Sequence, residues 1–142
     1  MSGAADRVLA ITTQYAKERV QFGRAISTFQ AVQHMLAELS THVALLSAAA
    51  RSAALHAEEG GGSFAIMAAK SQAGAAAHKI CAIAHQSMGA MGYTHEHVLH
   101  HYTRRLRVWR RDYGSEAHWS DKLGRRLAES GPSALWPTLT AN

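Results

Sequence analysis

The sequence predicts an all-α protein, an up-down four-helix bundle with an additional C-terminal helix, and three observations carry that expectation. Both prolines, Pro132 and Pro137, fall in the last eleven residues, so the long stretch before them lacks the strongest helix breaker. Apolar residues recur at helical spacing in several long windows, and no window reads as a convincing strand. Glycine-rich breaks and serine or threonine caps punctuate the chain so that long helices are joined by short turns, the pattern of a bundle.

Each element follows from local signals. The first helix is expected from Ala4 to Phe22, with Val8, Ile11, Tyr15 and Val20 or Phe22 near one face and Gly23 ending it. Ser27 followed by Gln30 gives the capping-box spacing for a second helix. Its apolar stripe runs through Val32, Met35, Leu36, Leu39, Val43, Leu46 and Ala50 and reaches about Glu58. Gly60, Gly61 and Gly62 break it, and Ser63 is expected to cap a third helix, Phe64 to Met88, whose Ala, Gly and Ser surface permits close helix contact. Thr94 is placed as the cap of a fourth helix from His95 to Arg110, and Ser115 as the cap of a fifth ending near Glu129. The bundle then occupies residues 1–130, and 131–142 is a C-terminal tail pinned by Trp136.

Composition bounds the function. At 142 residues the chain is one domain, long enough to bury about two-thirds of its extended surface. Alanine supplies much of the 47% apolar share, so the core is thin for its length and a partner surface is expected. The net charge of +5 attracts polyanions in general: nucleic acid, acidic protein, phosphorylated cofactor or acyl-CoA. The single cysteine, Cys81, lies in an apolar run and reads as a buried structural thiol, so no internal disulfide is possible. Neither a signal peptide nor a membrane span is apparent, and a soluble, cytoplasmic protein is expected.

Three chemistries can be weighed from the residues. Ten histidines invite a metal reading, but His95-Glu96-His97 does not reproduce the HExxH pattern, and the His97/His101 and His78/His85 pairs would each need a carboxylate or third histidine as well, so surface and interface histidines are the better reading. No metal is expected. Arg104, Arg105, Arg107, Arg110 and Arg111, interleaved with Tyr102 and Trp109, invite a nucleic-acid reading. Helical repeat puts 104, 107 and 111 along one side and turns 105 and 110 away, so phosphate contacts and interhelix salt bridges are the better reading, and no nucleic-acid partner is expected. No GxSxG element supports a nucleophilic hydrolase.

Two separated segments carry a family resemblance. YAKERVQFGRAISTFQAVQHMLAEL, Tyr15 to Leu39, resembles the C-terminal domain of flavin-dependent acyl-CoA dehydrogenases, in which an Arg-x-x-Phe-Gly segment precedes a Gln-Ala-x-Gln helix start. QSMGAMGYTHEHVLHHYTRRLRVWRRDYGSE resembles the same family's Gln-x-x-Gly-Gly-x-Gly segment, its basic helix and its active-site loop. The two together, in this order, span about residues 3 to 129.

The resemblance implies FAD as cofactor and an acyl-CoA thioester as substrate, in fatty-acid or sterol side-chain degradation. Arg19, Gln21 and Phe22 fall at FAD-contacting positions, the arginine at the pyrophosphate and the aromatic against the cofactor, and Gln30 at another. Gln86, Gly89 and Gly92 match the glycine segment that receives FAD from a neighbouring subunit, with Ala90 replacing the second glycine. Ser115 and Glu116 match the Gly-Thr-x turn near the flavin. Read singly, Gln30 is also a capping residue, Arg19 a helix-end charge and Gly92 a helix C-cap. The arginine and glycine segments are expected to serve different copies of the cofactor, so the domain assembles as a homo-oligomer or as a heterotetramer with other family members.

The family removes an α-proton with a carboxylate while a β-hydride passes to the flavin. Tyr113 stands at the usual base position, preceded by Asp112. Tyrosine in general keeps its proton at neutral pH and is a poor base. Three readings remain: Asp112 serves, the base comes from an upstream helix outside this chain, or the chain is the base-lacking partner of a heteromeric dehydrogenase, as in some actinobacterial sterol-degrading enzymes. The last two rank above the first. The chain is also expected to be a fragment or excised domain that alone holds neither FAD nor substrate well, and the alternative function is a non-catalytic helical assembly subunit.

Overall fold

A computed structural model describes residues 1–58 and 63–140. Its helices are α1 (Ser2–Glu18), α2 (Gln30–Glu58), α3 (Ser63–Met88), α4 (Ala90–Tyr93), α5 (Leu99–Trp109), α6 (Glu116–Ser130) and α7 (Leu135–Thr140). A two-residue hairpin, β1 (Val20–Gln21) against β2 (Arg24–Ala25), joins α1 to a 3₁₀ turn at Ile26–Thr28. The architecture is all-α, with the expected bundle formed by α1, α2, α3 and α5 and with α6 added on α3.

α3 is the centre. Its residues Ala73, Ala76, Ala77, Ile80, Cys81, Ala84 and Met88 recur every three or four positions and are buried together. They meet Leu39, Val43 and Leu46 of α2, Ala5, Val8 and Ile11 of α1, and Leu99 and Leu106 of α5. Burying each of the large aliphatic side chains contributes about 1.5–3 kcal/mol, and the alanines add little area but let the helix axes approach. Gly74 takes that approach furthest: a Cβ there would lie 2.6 Å from Glu116 Cβ, so α6 rests directly on α3. The small-residue surface read from the sequence has this consequence.

Several boundaries differ from the sequence expectation. α1 stops at Glu18 rather than Phe22, and Arg19 is already extended. Phe22 (φ 52°) and Gly23 (φ 79°) both have positive φ, the requirement of a two-residue hairpin turn whose twist matches its strands. Val20 and Phe22 therefore leave the helix face and stand 60% and 91% exposed. The Ser27–Gln30 capping box does not form, because the 3₁₀ turn occupies Ile26–Thr28 and α2 opens at Gln30. Thr28 Oγ1 instead donates to the Ala25 carbonyl, and Gln33 Nε2 donates to that of Ser27.

Thr94 likewise closes α4, donating to the Met91 carbonyl, rather than capping a helix at His95. α5 begins four residues later, at Leu99, whose N–H donates to His97 Nδ1. In the tail a 3₁₀ turn at Pro132–Ala134 leads into α7, and Trp136, expected to pin it, is 71% exposed. Expectations met are that α2 reaches Glu58, that α3 ends at Met88 and that Ser115 caps α6, its side chain accepting from His118 N–H. The Gly60–Gly62 break lies outside the described residues. Among the described residues, no helix is long and apolar enough to cross a membrane.

A candidate dinucleotide groove

The end of α1, the hairpin, the start of α2 and the α3–α4 junction enclose a surface groove of about 430 Å³. Arg19, Gln21 and Phe22 line it from one side and Gln86 and Gly89 from the other. Tyr15, Ile26, Phe29, Val32 and Met35 form its apolar wall. Its volume falls within the usual range of small-molecule sites, about 300–1,000 Å³.

Local structure explains the placement. Because α1 ends at Glu18, the Arg19 side chain leaves the helix face, while its N–H still donates to the Tyr15 carbonyl and its carbonyl accepts from Ile26 N–H. The hairpin then lifts Phe22 to a turn tip, where its ring meets Phe29 edge-on at 6.1 Å between centroids. Arg24 stacks its guanidinium 4.2 Å over the other aromatic, Phe29, a cation–π contact that fixes this wall. On the far side, Gly89 has φ 59° and ψ −141°, a backbone conformation natural only to glycine, and no atom lies within 4 Å of a Cβ built there. The space beside Gly89 is thus open for a ligand to approach the main chain.

The groove contains donors for phosphate, amides, small residues and apolar surface, the ingredients a dinucleotide needs. Arginine and glycine segments expected to serve different cofactor copies face a single groove of one chain. The remaining candidate residues lie elsewhere. Gln30 is exposed in the first turn of α2, next to Phe29 but outside the groove lining. Gly92 is buried, and a Cβ on it would come within 3.2 Å of Met88 Cβ and 3.3 Å of His85 Cα, so its task here is close packing and not a helix C-cap.

Ser115 and Glu116 begin α6, where Ser115 caps the helix and Glu116 Oε2 accepts from Arg110 Nη2 at 2.8 Å. Gly74, against which Glu116 packs, is twelve residues from Gln86 along α3, a separation of about 18 Å at helical rise. Asp112 and Tyr113 occupy the turn just before it. Tyr113 is held at φ 59° and 93% exposed, while Trp119 Nε1 donates to its carbonyl at 2.9 Å. Asp112 lines a broad concavity with His78, Arg107, Arg110 and Arg111. Lys70 Nζ donates to the Trp109 carbonyl, fastening the end of α5 to α3, and burial pushes the Lys70 amine below its ordinary value while the nearby Asp112 carboxylate works the other way.

Sequence reasoning missed Arg24, which stacks on Phe29, and read Val32 and Met35 only as part of the apolar stripe of α2. The periodicity that found the stripe on α2 was right, but it cannot say that the first two turns of that stripe overhang a groove instead of another helix.

Residues 1–128 match the family described as "Acyl-CoA dehydrogenase, C-terminal domain". The chain belongs to the acyl-CoA dehydrogenase family. It is 40% identical over 105 residues to the acyl-CoA dehydrogenase IpdE2 of Mycobacterium tuberculosis, covering 72% of this chain and 31% of that protein. A 3-sulfinopropanoyl-CoA desulfinase of Paraburkholderia xenovorans is 36% identical over 107 residues, covering 75% and 28%. Among solved structures, the ChsE4–ChsE5 complex of Mycobacterium tuberculosis superposes with a TM-score of 0.86 at 29% identity, covering 90% of this chain and 35% of that one. Butyryl-CoA dehydrogenase from Megasphaera elsdenii gives a TM-score of 0.84 at 26% identity, covering 89% and 33%. The chain spans about a third of the length of the curated relatives it matches.

Proposed function

We propose that this chain is the FAD-binding and assembly portion of an acyl-CoA dehydrogenase, a cytoplasmic oxidoreductase acting on the Cα–Cβ bond of an acyl-CoA thioester. One observation carries the reading. Two segments far apart in sequence, Arg19–Phe22 and Gln86–Gly89, converge on one groove whose chemistry suits a dinucleotide.

FAD, when bound, supplies the hydride acceptor. Arg19 would pair its guanidinium with the pyrophosphate, and the amides of Gln21 and Gln86 would donate to or accept from its polar edges. Phe22 would lay its exposed ring on the cofactor and bury surface that this chain alone leaves in water. Gly89 would let the cofactor reach the backbone, which any Cβ at that position would obstruct.

Assembly is part of the proposal. Gln86 in the groove and Gly74, on which Glu116 rests, are about 18 Å apart along α3, so one end of the domain would serve one flavin and the other end the chemistry at a second. The ChsE4–ChsE5 structure is of a complex of two different components, which supports pairing of this chain with a second, different chain.

A second reading rests on Tyr113. With a phenol at the base position, the chain would act as a non-catalytic assembly subunit whose partner supplies the carboxylate, and Asp112, exposed among three arginines, is the remaining candidate within it. The absorption spectrum of the purified protein, before and after addition of FAD, tests the proposal. A bound flavin band supports the cofactor reading, whereas colourless oligomers that take up no FAD overturn it in favour of the assembly subunit.

A further inference from the structure

On the other side of the α3–α4 junction lies a smaller pocket of about 260 Å³, lined by His85, Gly92, Tyr93, His95, His100, Thr103, Arg104 and Arg107. We propose that this pocket is a binding site for a phosphate group, distinct from the dinucleotide groove.

Charge is the first argument. Arg104 and Arg107 stand three residues apart on α5 and so share a face. Among the described residues, neither has a carboxylate within ion-pair distance, whereas Arg110 on the same helix is paired with Glu116. Two guanidinium forks without a carboxylate partner, both lining one concavity, are an arrangement that can take phosphate, although Arg107 also reaches the Cys81 thiol. His95 and His100 complete the rim, their rings 4.9 Å apart, and an imidazole becomes a donor on both nitrogens when protonated.

His85 supplies the second argument. It is 6% exposed, its Nε2 shares a hydrogen bond with Thr103 Oγ1 at 3.1 Å, and its Nδ1 lacks a partner of good geometry, the Gly92 backbone being the polar group beside the ring. A buried ring nitrogen so poorly met is costly unless something outside the chain meets it. The ring of Tyr93, itself 68% exposed, stacks on the imidazole at 4.7 Å and 24° and covers it from solvent. Burial holds His85 below the ordinary imidazole value; the Gly92 backbone opposes this, and the charge of Arg107 adds to it. An anion seated by Arg104 and Arg107 would neutralise that charge and offer oxygens toward His85 once Tyr93 shifts.

A metal ion is the poorer occupant. Two guanidiniums repel a cation, and among the described residues no group of three metal-ligating side chains forms. The pocket also does not depend on the flavin reading. Gln86 faces the groove while His85, one residue earlier on α3, faces this pocket, so each site can be tested without the other.

The shared chemistry admits two sources, free inorganic phosphate or the ribose phosphate of coenzyme A. Inorganic phosphate and coenzyme A are titrated separately into the protein at about 0.15 M ionic strength, and the ring signals of His85 and His100 are followed by NMR. Saturating shifts with phosphate alone mark a free-ion site, and tighter saturation with coenzyme A marks a nucleotide phosphate; either meets the proposal. Arg104→Gln should weaken the binding by about tenfold or more, as loss of a charge-assisted bond does. Arg107→Gln should do the same, with circular dichroism confirming that its fold survives. Arg105→Gln removes an equal charge from a neighbouring position outside the pocket and should change the affinity by less than about twofold. The proposal is overturned if neither probe moves the His85 signal, or if Arg105→Gln weakens binding as much as Arg104→Gln.

Discussion

Replacing Gly74 with alanine tests how α6 is seated on α3. A Cβ at that position would stand 2.6 Å from Glu116 Cβ and 3.4 Å from its Cα, atoms that cannot swing aside as a side-chain tip can. Ordinary carbon contact is about 3.5–4.0 Å, so α6 must withdraw by about 1 Å. Overpacking of this kind costs about 1–3 kcal/mol. Alanine is the better helix former by about 1 kcal/mol, which offsets part of it. The net expectation is a loss of about 0–2 kcal/mol.

Gly124 in α6 isolates the steric contribution, because a Cβ there meets nothing within 4 Å. Gly124→Ala should stabilise by up to about 1 kcal/mol through helix propensity alone. Urea unfolding monitored by circular dichroism gives both free energies, and their difference should be about 1–3 kcal/mol, the contact penalty with propensity cancelled. Equal stabilisation by the two substitutions would refute the seating of α6 described above.

Further outcomes follow from single features. Gly89→Ala should destabilise by about 1–2 kcal/mol, because φ 59° strains an L side chain while open space removes any clash; thermal unfolding checks it. Leu106→Ala, at a fully buried position, should cost about 2–5 kcal/mol in urea unfolding. His85 is depressed in the folded state, so the unfolded chain binds more protons below the ordinary imidazole value of about 6.5. Stability should therefore rise with pH across that range and be lost on acidification, and His85→Asn should flatten the melting-temperature profile between pH 5 and about 7. Burial pushes the Cys81 thiol up, with Arg107 opposing, so a thiol reagent at neutral pH should label it only at the rate of unfolding.

Much of the fold was legible because its signals are local. The Ser115 cap, the end of α3 at Met88 and the alanine face of α3 each follow from short patterns that tertiary structure left intact. The hairpin after α1 was not legible. Val20 and Phe22 continue the helical spacing of Val8, Ile11 and Tyr15, and only the paired positive φ of Phe22 and Gly23 reveals a turn. Thr94 misled in the same way, because a threonine can close a preceding turn as readily as it caps a following one, and the helix start passed to the His97 imidazole.

The candidate site was readable in part. Arg19, Gln21, Phe22, Gln86 and Gly89 were found by resemblance to family segments, and geometry joins them in one groove. Val32 and Met35 were not assigned to it, since nothing in a sequence period distinguishes a stripe that faces a helix from one that faces a ligand. Ser115 and Glu116, assigned by the same resemblance, stand outside this groove at the start of α6, where Ser115 caps the helix and Glu116 binds Arg110.

The affinity of the assembled protein for FAD, compared between Arg19→Gln and Arg51→Gln, addresses the groove most directly. Arg51 lies far along α2, outside the groove lining. The expected result is a loss of about tenfold or more for Arg19→Gln, from a charge-assisted contact to the pyrophosphate, and no change for Arg51→Gln. Undiminished FAD affinity in Arg19→Gln would contradict the assignment of this groove to the cofactor.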